Sequence, residues 1–209
     1  MERKTREQLK KSHQDFINIV WPNFMFNKML GGGTLICCEL KDDDLSRNND
    51  LKAGIDFIQN LPIMEYVERF NEYIKIELTR SLAVRVRQKI NWRGFTIRYS
   101  HKDHYALEYD KRVAALKYGW TYPCFTIQAH IINNNLISAA IINTNILYGF
   151  VKQYGINNLI QKTNNDCKNS FIDIKWDLLI NNGIQFIFFD LSKSPNLFQV
   201  NDKNNIIEY

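Results

Sequence analysis

Leu82-Ala83-Val84-Arg85-Val86-Arg87-Gln88-Lys89 is the most regular stretch of the chain. Successive side chains of a strand point to opposite sides, so Leu82, Val84 and Val86 share one face and Ala83, Arg85, Arg87 and Lys89 the other. Such a strand is half-buried, with its apolar face on a core and its basic face turned elsewhere. Phe95, Ile97 and Tyr99 alternate with Thr96, Arg98 and Ser100 in the same way, and Asn91-Trp92-Arg93-Gly94 between the two runs predicts a hairpin turn.

Working outward, Leu9, Phe16, Ile17 and Val20 recur at helical spacing and predict a helix over 5–21, which Pro22 ends. Gly31-Gly32-Gly33 reads as a hinge before a strand over 34–40, and it lacks the Gly-Lys-Ser/Thr ending of a phosphate loop. After a polar stretch over 41–50, Gly54-Ile55-Asp56-Phe57-Ile58 reads as a short strand carrying an aspartate. Ile63, Val67, Phe70, Ile74 and Leu78 keep helical spacing and predict a helix over 62–80. Downstream, a helix over 108–118 stops at Gly119, strands follow over 125–131 and 136–142, and a helix spans 145–154. Two last strands, 171–176 and 184–191, flank a short helix ending at Gly183. This order predicts an α/β fold, a mixed central sheet flanked by helices, in one domain. Its core spans 1–131, and 132–209 extends the sheet.

The 209 residues are 45% apolar and 23% charged, which excludes a disordered, collagenous or disulfide-scaffold chain. Cys37, Cys38, Cys124 and Cys167 have no zinc-ligand spacing and read as small apolar fillers of a reducing compartment. Without a signal core or an apolar run of membrane length, the expectation is a cytoplasmic protein with no membrane partner. The net charge of +5 resides wholly in residues 1–120, since 121–209 sum to zero.

That excess is concentrated. Arg80, Arg85, Arg87, Lys89, Arg93, Arg98 and Lys102 follow one another without an intervening acid. Such cations repel unless solvent, acids from elsewhere in the chain or a bound polyanion relieves them. Guanidinium groups present a planar fork to phosphate oxygens, and Trp92 and Tyr99 offer stacking surfaces for bases. Asp56, fixed at a sheet edge after Gly54, suits either a hard cation such as Mg²⁺ or the capping of a turn, and Asp50 lies just upstream.

Together these residues resemble the PD-(D/E)XK nuclease superfamily, the restriction-endonuclease-like fold. Its pattern is a helix, a strand, a strand bearing Asp, a strand bearing (D/E)-x-K, a helix and a further strand. Helix 5–21, strand 34–40, the Asp56 strand, strand 82–90, helix 108–118 and strand 125–131 follow that order over residues 5–131. The resemblance implies Mg²⁺-assisted phosphodiester hydrolysis, with Asp56 as metal ligand. Arg85-Val86-Arg87 stands where (D/E)-x-K is expected, so the second acid is missing and Arg87 takes the lysine's place, where it can neutralise charge on a pentavalent phosphate. A migrated carboxylate is then required, and Asp50, Glu39, Glu77 and Glu108 are the candidates.

Other constellations carry less. Glu108 and Lys111 lie one helical turn apart and read as an exposed ion pair or as active-site residues. His101-Lys102-Asp103-His104 reads as a polar turn before it reads as a metal site. His130 reads as a hydrogen-bonded structural residue, and Asp173-Ile174-Lys175 repeats the D-x-K spacing too late in the chain to share a site with Asp56. The expectation is therefore a nucleic-acid-acting protein, DNA before RNA, that cleaves with Asp56, Arg87, Glu108 and Lys111. Arg85, Arg87, Lys89, Trp92, Arg93 and Arg98 would grip the strand. A non-catalytic binder using the same face and a module meeting an acidic protein partner are the alternatives, and a homodimer is left open. The leading reading requires that Asp56 and the arginine pair share one surface, and that the chain's own acids leave those arginines unneutralised.

Overall fold

The computed structural model describes residues 10–38, 53–88, 91–101, 107–163, 169–192 and 199–200. The fold is mixed α/β. A seven-stranded sheet has the order β1-β2-β3-β5-β6-β9-β10, and a second sheet has the order β4-β8-β7. The strands are β1 (Thr34–Cys37), β2 (Phe57–Val67), β3 (Glu72–Gln88), β4 (Gly94–His101), β5 (Phe125–Ile132), β6 (Asn135–Asn143), β7 (Ile160–Thr163), β8 (Asn169–Lys175), β9 (Ile187–Asp190) and β10 (Gln199–Val200). The helices are α1 (10–20), α2 (Phe24–Leu30), α3 (Glu108–Tyr118), α4 (Thr144–Tyr154) and α5 (Trp176–Asn181). No helix among the described residues is long and apolar enough to cross a membrane.

The strand over 82–88 has the expected two faces, but it is only the end of a 17-residue strand. Leu82, Val84 and Val86 pack with Phe57 of β2 and with Ile127, Ala129 and Ile131 of β5. Phe16 and Val20 of α1 and Phe26 and Leu30 of α2 complete this first core. The last turn of α1 is widened, Trp21 N–H donating to Phe16 O five residues back. Asn23 then caps α2, its side chain accepting from Met25 N and Phe26 N. Helix α2 falls where the sequence reading left only a connection to the glycine hinge.

Two expectations are corrected. Residues 62–80 form no helix: β2 and β3 are paired without interruption from Phe57↔Leu82 to Val67↔Glu72. The four-residue turn 68–71, with Asn71 at φ 55°, shifts the parity, so odd-numbered Ile63 and Val67 share a face with even-numbered Ile74, Ile76 and Leu78. Across the turn that pattern imitates helical spacing, while the β-branched content favours strand. Nor do 82–90 and 95–100 form a hairpin, because β3 lies in the large sheet and β4 in the small one. Asn91-Trp92-Arg93-Gly94 carries the chain between sheets, with Arg93 at φ 44°.

From β3 the chain returns through α3 to β5, which runs parallel to β3, whereas every other pair is antiparallel. The segment beyond 131 does extend the large sheet, through β6, β9 and β10. It also supplies β7 and β8, which pair with β4 in the second sheet. A second core lies between the sheets, where Phe95, Ile97, Ile172, Ile174 and Trp176 meet Ala140, Ile142, Phe186 and Phe188, with Leu147, Tyr148 and Val151 of α4.

Phe16 is fully buried and its ring lies within 5.6 Å, centroid to centroid, of both Phe26 and Phe57. Phe16→Ala is expected to cost about 3–5 kcal/mol, measured as a lowered midpoint of chemical unfolding. A cost under about 1 kcal/mol would mean that α1 is not seated on the sheet.

Candidate functional site

The back face of the large sheet carries a polar row. Arg87, His130, Ser138 and Asp190 are register neighbours across β3, β5, β6 and β9. His130 and Ser138 are fully buried, and Ser138 Oγ lies 3.1 Å from His130 Nδ1. Burial and the neighbouring Arg87 push the His130 pKa down to about 4, against the pull of Asp190 and Asp173. His130 is thus a neutral structural residue at pH 7, as its sequence context implied.

One row along, Arg85 sits opposite Gln128. Both reach the second sheet at β4, its edge strand, whose outward backbone groups have no strand to pair with. Arg85 Nη1 donates to Thr96 O and to Thr96 Oγ1, Gln128 Oε1 accepts from Thr96 N at 3.4 Å, and Glu108 Oε2 accepts from Arg98 N at 3.3 Å. Glu108 also holds Arg85 directly at 2.7 Å, with both side chains about one-fifth exposed. Burial acts to raise the Glu108 pKa, and Arg85, Arg98 and Arg112 together outweigh it, so its carboxyl titrates below the ordinary value. Arg87 Nη2 donates to Thr96 Oγ1 at 3.1 Å, and its guanidinium lies over Phe171 at 5.8 Å. Burial, then Arg85, lowers the Arg87 pKa to about 10, so it stays cationic at neutral pH.

Asp56 ends the approach to β2. Beyond Leu82 the edge of β3 is no longer covered by β2, and two side chains cap its N–H groups. Asp56 Oδ2 accepts from Val84 N at 2.6 Å, and Ser12 Oγ accepts from Val86 N at 3.0 Å. His13, 3% exposed, brings Nε2 to 3.4 Å from Asp56 Oδ1 and sets its ring edge against Phe57. Just upstream, buried Arg112 of α3 donates to the carbonyls of Ala53 and Gly54. A Cβ at Gly54, whose φ is +61°, would stand 2.6 Å from the Arg112 guanidinium. Gly54 therefore serves the close passage of α3, whose first turn carries Glu108.

The remaining predicted residues fall as follows. Arg93 contacts Asp190 at 3.0 Å and Asp177 at 3.4 Å. Trp92 lies under the Lys175 ammonium at 5.0 Å, and Lys175 pairs with Asp173 at 3.1 Å. Arg98 is half-buried beside Glu108, and Lys111 is exposed on α3. Glu77 is exposed on β3 opposite Pro62, away from Arg85. Glu39, Asp50, Lys89 and the side chains of 101–104 lie outside the described residues.

Asp56 is thus bonded to Val84, next to Arg85, and Arg85 to Glu108. Arg85 and Arg93 meet acids of the same chain, whereas Arg80 donates to Leu30 O and Arg87 to Thr96 Oγ1. Among the described residues no three His, Cys, Asp or Glu side chains are placed to hold a metal ion. Asp56 is engaged by a backbone N–H and by His13, and Glu108 by a guanidinium and the Arg98 N–H. Both carboxylates are therefore engaged by hydrogen-bond donors of the same chain. Sequence reading missed His13, Thr96, Arg112, Gln128, Ser138 and Asp190. Of these His13 alone carried a signal, standing three residues before Phe16 on the inward stripe of α1. Compared with known protein families, with curated proteins and with solved structures, the chain matches none.

His130 supplies a pH test. Its folded pKa lies below the unfolded value near 6.5, so the unfolded chain binds more protons between pH 6.5 and 4, and stability falls as pH drops through that window. From pH 7 to pH 4 the loss is about 3 kcal/mol. Urea unfolding of the wild type beside His130→Gln is expected to show that much less acid sensitivity in the variant. Parallel pH profiles would contradict burial of the neutral ring.

Proposed function

We propose that this chain is a non-catalytic protein-interaction module built on a restriction-endonuclease-like core. The frame is supported by the order β1, β2, β3, α3, β5, with β3 and β5 parallel, although Asp56 stands just before β2 rather than on it as the sequence reading expected. Catalysis is disfavoured because both positions of the missing (D/E)-x-K pair, Arg85 and Arg87, are bonded to Thr96, and Arg85 is neutralised by Glu108. A strand face already engaged by its own protein has little left for a sugar-phosphate chain.

The observation that carries the interaction reading is the β2–β3 arm. Beyond residue 60, where β1 ends its pairing, the two strands continue to the turn at 68–71 without a further paired strand among the described residues. Met64, Tyr66, Phe70, Tyr73 and Leu78 on this arm are five of the eleven exposed large hydrophobic side chains among the described residues. Such concentration marks a contact surface. Residues 61–78 hold four acids, Glu65, Glu68, Glu72 and Glu77, against Arg69 and Lys75, an acidic excess that suits a protein and repels nucleic acid.

A nuclease is the second reading, and one observation favours it. Of the two candidate replacement acids among the described residues, Glu77 and Glu108, Glu108 meets Arg85, at the motif position that lacks its carboxylate. Incubating the full chain with labelled single- and double-stranded DNA and RNA, with Mg²⁺ or EDTA, separates the two. The interaction reading expects no metal-dependent cleavage and no salt-sensitive binding that is lost in Arg85→Ala/Arg87→Ala. Cleavage that needs Mg²⁺ and disappears in folded Asp56→Ala and Glu108→Gln variants would establish the nuclease instead.

A further inference from the structure

Among the described residues the arm has two edges that pair with no further strand, and they differ. Along β2, Pro62 has no N–H to offer, which blunts that edge against another strand. Along β3, residues 72–81 contain no proline, and β5 pairs with β3 only from Leu82 onward. A two-stranded ribbon standing in water is marginal by itself, and strand addition to the β3 edge is the direct remedy.

The hydrogen-bond parity of that edge follows from the strand itself. Val84 N and Val86 N point to the β2 side, where Asp56 and Ser12 cap them. Even-numbered residues of β3 therefore turn their backbone groups toward β2, and Tyr73, Lys75, Glu77 and Thr79 turn theirs outward. Any strand added here must hydrogen-bond to these odd-numbered residues.

We propose that the partner is a second copy of this chain, its β3 edge laid antiparallel against the same edge about a two-fold axis through Ile76. In that register Lys75 faces Glu77 of the other copy and Glu77 faces its Lys75, both being outward-bonding positions. Glu72 faces Arg80 twice, Ile74 faces Leu78 twice, and the two Ile76 residues meet at the axis. Lys75 and Glu77, both exposed, each find an opposite charge, while Arg80 is half-buried and donates to Leu30 O of its own chain. A shift by one step in either direction that keeps the parity centres the axis on Lys75 or on Glu77, and sets that residue against its own copy. Charge therefore selects one register among the neighbouring ones. The ribbon becomes a four-stranded sheet, and its apolar side, Ile63, Val67, Ile74, Ile76 and Leu78, continues into that of the second copy.

This inference rests on the interaction-module reading and names its partner. Lys75 and Glu77 are exposed, so charge reversal leaves the fold in place, which circular dichroism checks. Sedimentation of the full chain is expected to give a species near twice the 24.7-kDa monomer. Lys75→Glu and Glu77→Lys, each alone, are expected to shift that species to monomer. The double reversal Lys75→Glu/Glu77→Lys is expected to restore it. Mixing the two single variants is expected to yield a heterodimer, since each then faces the charge it lacks. A wild type that stays monomeric at about 100 μM, or single reversals that leave the dimer intact, overturns the proposal. A monomer that also neither cleaves nor binds nucleic acid ends this inference while leaving the interaction-module reading standing.

Discussion

The joint between the two sheets rests on the Arg85–Glu108 pair. Packing an edge strand against the face of another sheet strands backbone N–H and C=O groups in a place where water is scarce, and each one left unpaired is destabilising. Arg85, Gln128 and Glu108 satisfy these groups at Thr96 and Arg98, and the charges that do so neutralise each other. A guanidinium is well suited to this because its several donors lie in one rigid plane. Arg85 reaches a backbone carbonyl, a threonine hydroxyl and a carboxylate at once. The polar row Arg87, His130, Ser138 and Asp190 continues the same layer, which is why polar and apolar residues alternate in zones between the sheets.

Several residues that the sequence reading set against phosphate bond to the protein's own backbone and side chains. Asp56 caps the open edge of β3, and His13 closes over it from α1. Arg112 ties α3 to the turn that leads into Asp56, and Gly54 leaves the space it needs. These side chains bond to the protein itself, and Arg85 and Arg93 are paired with acids of the same chain. What the body of the protein withholds from solvent, the β2–β3 arm exposes: its tyrosines, methionine and phenylalanine lie beyond every element that could cover them among the described residues.

The sequence foretold much of the frame. Alternation in Leu82–Gln88, the inward stripe of α1, the glycine stop after α3 and the strands β5, β6, β8 and β9 all reflect local patterns that the tertiary structure respects, while β7 and β10 went unread. The arm was misread because a tight turn shifts strand parity, and apolar residues on one face of a hairpin then fall at intervals a helix would also give. The arginines were legible as a cluster but not as paired, since Glu108, Asp177 and Asp190 reach them from distant parts of the chain. Nothing local distinguishes a cation awaiting a ligand from one awaiting its own protein. Thr96, Gln128 and Ser138 were invisible for the same reason, because their roles are assigned by which sheet lies opposite.

The most direct measurement is a double-mutant cycle on folding stability with Arg85→Met, Glu108→Leu and the pair combined. If the ion pair is the lock between the sheets, each single change costs about 2–4 kcal/mol, because it leaves the other charge partly buried without its partner. The combined variant then costs much less than the sum. If Arg85→Met is neutral or stabilising, and the two changes add without coupling, the arginine is held in place for a ligand and the account is wrong.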